Sequence, residues 1–247
     1  MAYEIDAKDL HYRELNQLIR KAISQGEKHL VIKNVNGQRY LAAGVSAEVD
    51  IDVYGVPGLD LGAFMRGPRI RVHGNTQDGA GNTMDDGKII IEGMAGDVVG
   101  YAMRGGKVFV ASDVGYRVGI HMKAYMDKIP VLVIGGKAGD FLGEYMAGGI
   151  IVLLAMNSRY PERQPAGIFL GTGMHGGTIY VRGGISETQL SPVLKIEEID
   201  ERDEKILAEI LKEYAQDLSF NFDEIMSEKF YKIRPKTHRP YGKMYAY

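Results

Sequence analysis

Cysteine is absent from this chain of 247 residues. Without a thiol the protein forms no disulfide, has no thiolate nucleophile, and offers no cysteine ligands to zinc or an iron–sulfur cluster. An excess of basic charge is also missing, since 30 Lys and Arg residues stand against 32 Asp and Glu residues. Proteins that bind nucleic acids or membrane surfaces rely on such an excess, so we expect neither partner.

Long apolar runs are missing too. None reaches the length of about 18 residues at which a segment becomes a candidate for a transmembrane helix. Residues 1–9 lack the basic and apolar segments of a signal peptide. We therefore expect a cytoplasmic protein.

Familiar catalytic motifs do not occur, because the sequence has no P-loop, no G-x-S-x-G and no H-E-x-x-H. Gly171–Gly176 matches G-x-G-x-x-G, but a predicted strand follows where nucleotide binding requires a helix N-terminus. The six histidines are scattered. Asp97 and Asp140 follow turn glycines, and we expect them to bond their own backbone. We predict no catalytic, cofactor-binding or metal-binding residue in this chain.

What the sequence does contain is a repeat of about 19 residues, G-x-x-x-G-x-x-M followed by a short β-branched strand. The recurring positions of its copies are Gly58, Gly62 and Met65; Gly81 and Met84; Gly96, Gly100 and Met103; Gly115, Gly119 and Met122; Gly139, Gly143 and Met146; and Gly167, Gly171 and Met174. After an insertion, the fourth full copy aligns Val131 and Val133 with the inward strand residues of the others.

A unit of this length is too short for a βαβ crossover and contains no helical spacing. We therefore predict an all-β solenoid, a right-handed parallel β-helix of about seven turns over residues 45–185. The glycines would form its corners, and the methionines would stack as fillers of the axial core.

Two further segments flank the solenoid. Residues 1–44 are predicted to form a cap, with a helix from Asp9 to Gln25 and a hairpin of Leu30–Val35 and Arg39–Ala43 across the Asn36-Gly37 turn. Residues 186–247 are predicted to contain a helix, Ile199–Leu218, and a basic, tyrosine-rich tail from residue 229 to the end. The tail could lie on its own acidic helix or dock on a partner protein.

Several copies of the repeat resemble the GXGXG domain, the C-terminal β-helix of the glutamate synthase large subunit. The residues that carry the resemblance are Met103–Val108, Met146–Gly149 and Met174–Ile179 within the repeat, Asn34–Gly44 at its entry, and Phe230–Pro235 with Tyr241 at its close. The resemblance implies a GXGXG domain encoded as a chain of its own.

It also implies a function. In glutamate synthase an amidotransferase domain releases ammonia from glutamine, and an FMN and iron–sulfur barrel condenses the ammonia reductively with 2-oxoglutarate. The β-helix supports both, so this chain would be a structural subunit without a cofactor, partnered by separate amidotransferase and flavin chains. A homo-oligomer remains open, and the insertion Asn157–Gln164 is a candidate contact loop.

Three alternatives remain beside this interpretation. Formylmethanofuran dehydrogenase has a β-helical component that is related to the same domain. A free-standing β-helix enzyme acting on carbohydrate would need acidic or basic residues stacked on an exposed face, which the repeat does not show. A rod that assembles end to end would need uncapped ends.

Overall fold

The computed structural model describes residues 2–237, which form one sheet of eleven strands with three α-helices. The strands are β1 (Tyr3–Asp6), β2 (His29–Asn36), β3 (Asp50–Val56), β4 (Arg69–His73), β5 (Lys88–Ile91), β6 (Lys107–Val110), β7 (Val131–Ile134), β8 (Ala147–Leu153), β9 (Gly176–Arg182), β10 (Leu194–Glu198) and β11 (Phe230–Pro235). The helices are α1 (Tyr12–Ser24), α2 (Glu201–Leu218) and α3 (Phe222–Met226), with a short 3-10 helix at Glu187–Gln189.

Strands β1 to β9 lie side by side in chain order, and every pair among them is parallel. Ile51 pairs with Ile70, Ile70 with Ile89, and Ile89 with Val108, so equivalent residues of successive units stack in register. The prediction of a parallel β-helix is confirmed. The structure has about six turns, close to the seven predicted.

One predicted register is wrong. Val108 pairs with Leu132, and Val110 pairs with Ile134, so Leu132 and Ile134 point into the solenoid in place of Val131 and Val133. All four β7 side chains are buried, because the outer face of the sheet is covered here as well. A strand buried on both faces shows no apolar–polar alternation to reveal its register.

The repeat methionines lie inside the solenoid. Met65, Met84, Met103, Met122, Met146 and Met174 have no solvent-exposed surface. They pack with the inward residues of the strands and with a column of small or branched residues from the opposite wall, Leu41, Leu61, Ala80, Val99, Val118, Leu142 and Leu170. Together these side chains form one continuous apolar core along the axis.

The wall opposite the sheet consists of stacked turns in which residues of positive and negative φ alternate. In the unit around Gly119, Arg117, Gly119 and His121 have φ of 53°, 71° and 56°. Backbone hydrogen bonds join each of these turns to its neighbours, for example Gly119 N to the Val99 carbonyl at 2.8 Å and His121 N to the Glu144 carbonyl at 2.9 Å. This wall is therefore held by a backbone ladder, as the sheet is.

Aspartates connect the turns at one corner. Asp78 accepts a hydrogen bond from the backbone N–H of Asp97, and Asp97 accepts one from that of Tyr116, each at 2.8 Å. Asp140 does the same for Ile168 at 2.9 Å. The prediction that Asp97 and Asp140 bond their own backbone is wrong, because each carboxylate reaches the next turn. In each of these units, glycine precedes the residue whose N–H donates to the aspartate. A Cβ at Gly115, for example, would clash with the Asp97 carboxylate.

The N-terminal cap is only partly as predicted. Helix α1 is present, but His11 is its N-cap in place of Asp9, in a capping box with Glu14. The helix places Leu15, Ile19 and Ala22 in the axial core. The hairpin is wrong. His29–Asn36 pairs in parallel with β1 and β3, and residues 39–43 form the first stacked turn, so Asn36-Gly37 leads into a corner of the solenoid.

The C-terminal helices cover the outer face of the sheet. Helix α2 begins after Asp200, which caps it, and buries Leu207, Leu211 and Tyr214 against outward residues of β6 to β9. Strand β11 inserts between β9 and β10 and is antiparallel to both. The described part of the predicted tail is thus a strand of the sheet. Its residues 238–247, including Tyr241, lie outside the described residues.

A buried polar contact holds this end together. Asp203 of α2 accepts hydrogen bonds from Tyr180 of β9 at 2.7 Å and from Lys232 of β11. All three residues are buried. Burial raises the pKa of Asp203, but the bonds from Lys232 and Tyr180 outweigh that effect and hold the pKa below its ordinary value. The charged Asp203 carboxylate thus links α2 to β9 and β11.

Gly106 and Gly183 allow the effect of close packing between turns to be measured separately from backbone strain. Their φ values are 75° and 74°, so alanine meets the same backbone strain at both. A Cβ at Gly106 would lie 2.6 Å from the Gly87 carbonyl oxygen of the adjacent turn, whereas one at Gly183 would meet nothing within 4 Å. We expect Gly106→Ala to lower the free energy of unfolding by about 2 kcal/mol more than Gly183→Ala, measured by urea denaturation. Equal losses would contradict this packing.

Asp203→Asn should lower the free energy of unfolding at neutral pH by about 2 kcal/mol, because it removes the nearest carboxylate from the buried Lys232 and leaves it only Asp200, at 3.6 Å. A lowered pKa means that the stabilisation is present above the unfolded value of about 3.9 and is lost as pH falls through the folded value. The difference between wild type and variant should therefore shrink below about pH 4. Tyr180→Phe, the control, should cost about 1 kcal/mol. A pH-independent difference would contradict the ionic role of Asp203.

Candidate interaction surface

The predicted absence of a metal site and a nucleotide site can be compared with the structure for residues 2–237. Within that range no group of three or more His, Asp or Glu residues is arranged to hold a metal ion, and no helix has the length and apolarity needed to cross a bilayer. Gly171–Gly176 forms a stacked turn that leads directly into β9. Gly171–Gly176 is therefore part of the solenoid wall, and a strand follows it in place of a helix.

Two histidines meet on the outer face of the sheet, which the sequence analysis did not foresee. His29 Nε2 lies 2.7 Å from Asp52 Oδ2, and His73 Nε2 lies 2.8 Å from Asp52 Oδ1. The second ring nitrogen of His73 is 3.1 Å from Glu92. Burial raises the pKa of Asp52, but the two histidine contacts outweigh it and lower that pKa. The sequence could have indicated this cluster, because His29 and Asp52 occupy outward positions on two neighbouring strands, β2 and β3, that pair in register.

This cluster continues as ion pairs toward α2. Glu92 pairs with Arg71, Arg69 pairs with Asp217 of α2 at 2.8 Å, and Lys88 lies 2.9 Å from the same carboxylate. Each acidic group thus already holds a basic partner. A general acid or base needs a group free to exchange a proton with a substrate, so the arrangement functions best as a brace between sheet and helix.

The insertion Asn157–Gln164, predicted as a contact loop, folds back on the solenoid. The Lys137 ammonium donates to the carbonyls of Tyr160 at 2.9 Å, Pro161 at 2.8 Å and Arg163. Asp113 accepts from the Arg159 backbone N–H at 2.9 Å. The loop borders a groove of about 790 Å³ that also contacts Tyr116 and Asp140. Its role in contacts stays a prediction.

The most distinctive surface lies on the wall of stacked turns. We call it the aromatic face and define it by Tyr101, Arg117, His121, Phe141, Tyr145 and Phe169. His121 stacks on Tyr145 with ring centroids 5.2 Å apart and meets the edge of Tyr101 at 5.9 Å. Phe141 stacks on Phe169 at 5.1 Å. Phe169 is half exposed, at 51%. Contiguous exposed aromatic surface of this kind marks interaction sites.

Five of these residues adopt an unfavourable backbone conformation. Their φ values are positive: Arg117 53°, His121 56°, Phe141 63°, Tyr145 53° and Phe169 61°. Left-handed conformation costs roughly 1–2 kcal/mol for a residue with a Cβ, and other turns place glycine, such as Gly79 and Gly173, at equivalent positions. The same conformation recurs outside the face at Asp60, Phe64 and Val98, so it belongs to the stacked wall as a whole, and the contiguous aromatic rings are what distinguish this face.

Arg117 joins the two aromatic columns of the face. Its guanidinium carbon lies 5.0 Å from the ring centroid of Phe141, and its Nε donates to Glu144 at 3.0 Å. Glu144 is buried, so this ion pair is partly withdrawn from water on the side of the carboxylate. Cation–π contact and ion pair together fix Arg117 in the plane of the surface.

Comparison with known proteins shows similarity to a protein family and to an archaeal protein. The sequence model of the GXGXG motif family matches residues 12–239, nearly the whole chain. An uncharacterized protein of Methanocaldococcus jannaschii is 51% identical over 251 aligned positions, which cover 98% of this chain and 95% of the relative. The similarity therefore extends from α1 through the solenoid to β11.

A double-mutant cycle tests how Arg117 is held. Arg117→Ala should destabilise the protein by about 2 kcal/mol, because the buried Glu144 loses its partner. Glu144→Gln in the same chain should recover part of that loss, since an amide is less costly to bury than an unpaired carboxylate. Urea denaturation of the wild type, both single variants and the double variant gives the coupling. Additive effects would show that the pair is not coupled.

Proposed function

The chain belongs to the GXGXG motif family, and from that membership we propose that it is a structural subunit of a glutamate synthase type complex. The observation that carries the proposal is the family match over residues 12–239, nearly the whole length of this chain. The GXGXG domain is known from glutamate synthase large subunits. In this proposal the same domain acts as a separate chain.

The division of labour follows from the chemistry of the reaction. A separate amidotransferase chain would release ammonia from glutamine, and a chain with FMN and iron–sulfur centres would reduce the condensation product with 2-oxoglutarate to glutamate. The β-helical chain would hold those two chains in a fixed relation and contribute no reacting group. The expected location is the cytoplasm.

The continuous hydrogen bonding between turns supports this role. Each turn is tied to its neighbours by strand pairing on one wall and by the ladder of stacked turns on the other. Helix α1 lies against the core at one end, and β10 with β11 completes the sheet at the other. Partners would therefore bind to the sides of the rod, where the aromatic face offers an apolar surface.

The test is recovery of partners by the full-length chain, tagged and purified from its native source. We expect mass spectrometry to identify an amidotransferase chain and a flavin and iron–sulfur chain, and we expect the purified assembly to form glutamate from glutamine and 2-oxoglutarate. Recovery of molybdenum or tungsten enzyme subunits would instead favour the formylmethanofuran dehydrogenase alternative. Recovery of no stable partner would overturn the proposal.

A matched pair of variants tests the aromatic face in the same experiment. Phe64 and Phe169 are both exposed phenylalanines with positive φ, 57° and 61°, on the wall of stacked turns, but only Phe169 belongs to the face. Phe169→Ser should reduce partner recovery about tenfold, as expected for an aromatic anchor, and Phe64→Ser should not. Equal effects would place the interface elsewhere.

A further inference from the structure

A corner of the solenoid beside the aromatic face carries two cations that form no ion pair within residues 2–237. The residues that follow the repeat methionines form a column along this corner, in which Arg66, Asp85, Arg104 and Lys123 occupy successive turns. The Lys123 backbone N–H donates to the Met103 carbonyl at 3.0 Å, which places Lys123 directly beside Arg104. Successive turns of a parallel sheet lie roughly 4.8 Å apart, so the two side chains start from neighbouring points.

The carboxylate nearest to these cations is already occupied. Asp85 forms ion pairs with Arg66 of the preceding turn and with Lys128 at 3.1 Å. Both partners hold the pKa of Asp85 below its ordinary value. Asp85 therefore makes no ion pair with Arg104, although it occupies the adjacent turn.

Other basic side chains in this part of the molecule have partners. From Arg66 to Lys137, all within the described range, every Lys and Arg except Arg104 and Lys123 forms an ion pair or a side-chain hydrogen bond. Arg104 and Lys123 are both exposed. We call these two residues the cationic edge. Asp127, in the adjoining insertion, makes no ion pair with either of them among the described residues.

Apolar surface flanks the cationic edge on both sides. Tyr101 and His121 of the aromatic face precede Arg104 and Lys123 in their turns. On the other side, the insertion after Lys123 exposes Met126 at 86% and Ile129 at 56%. Lys128 anchors that insertion by its bond to Asp85 and packs beside Gly105. Unpaired positive charge between two apolar strips is complementary to a segment that combines carboxylates with aromatic or aliphatic side chains.

We propose that the cationic edge and its apolar borders bind an acidic protein segment of a partner chain. Two carboxylates of that segment pair with Arg104 and Lys123, and an apolar side chain packs against Tyr101 and His121. Two cations are too few to follow a nucleic acid backbone, and the chain as a whole has a net charge of −2. Binding of such a segment does not depend on which enzyme complex contains the chain.

The test uses a synthetic peptide with four glutamates around one phenylalanine, and a matched peptide with glutamine in place of each glutamate. Both are titrated into the full-length protein labelled with ¹⁵N. We expect the acidic peptide to shift the amide signals of residues 101–104 and 121–123, with binding that weakens as salt is added. The glutamine peptide should bind about tenfold more weakly, because it cannot form the two ion pairs.

Charge reversal provides the matched control. Arg104→Glu with Lys123→Glu should weaken binding of the acidic peptide about tenfold or more. Arg202→Glu with Lys205→Glu makes the same change of charge on the exposed side of α2, where neither residue has an ion pair within the described structure, and should leave the shifted signals at the cationic edge in place. Circular dichroism confirms that both double variants remain folded.

Three results would overturn the inference. They are equal binding of the two peptides, equal effects of the two double variants, and tighter binding of a single-stranded oligonucleotide than of the acidic peptide at the same residues. Failure of the partner recovery described above, with peptide binding intact, would reject the glutamate synthase assignment alone. The two proposals can therefore fail separately.

Discussion

The stacking of one turn on the next is the constraint on which this molecule depends. Each unit is hydrogen-bonded to its neighbours through strand pairing, through the ladder of left-handed turn residues, and through aspartate side chains that reach the next turn. The turn to which a residue belongs therefore determines its position along the axis, and the hydrogen bonds to the neighbouring turns maintain that position. Residues at equivalent positions of successive turns therefore line up in columns, although they are about 19 residues apart in the sequence.

The repeat made the solenoid predictable, because the spacing of glycine, methionine and β-branched residues has one simple structural meaning. Errors arose where a local signal competed with the stacking. Asn36-Gly37 is a strong hairpin signal, but β2 is already paired in parallel on both sides. Val131 and Val133 fit the pattern as well as Leu132 and Ile134 do, because α2 buries the face that would otherwise be polar.

The interaction surfaces were much less predictable than the fold. The aromatic face combines residues from several turns at positions where other copies carry Gly79 or Gly173, so a consensus of the repeat hides it. The cationic edge depends on which charges already have partners, and those partners become visible only when the column Arg66, Asp85, Arg104 and Lys123 is assembled. Such features depend on differences between copies, whereas the fold depends on what the copies share.

Strand β11 has a consequence for how the chain is completed. The turns can stack in the order in which the ribosome makes them, because each contacts mainly the one before it. Strand β10 cannot join the sheet in this way, since β11 lies between it and β9 and is synthesised more than 30 residues later. Until then β9 presents an open edge on which a second nascent chain could pair. Pairing with β11 thus covers the edge of β9 and moves the free edge of the sheet to the short strand β10.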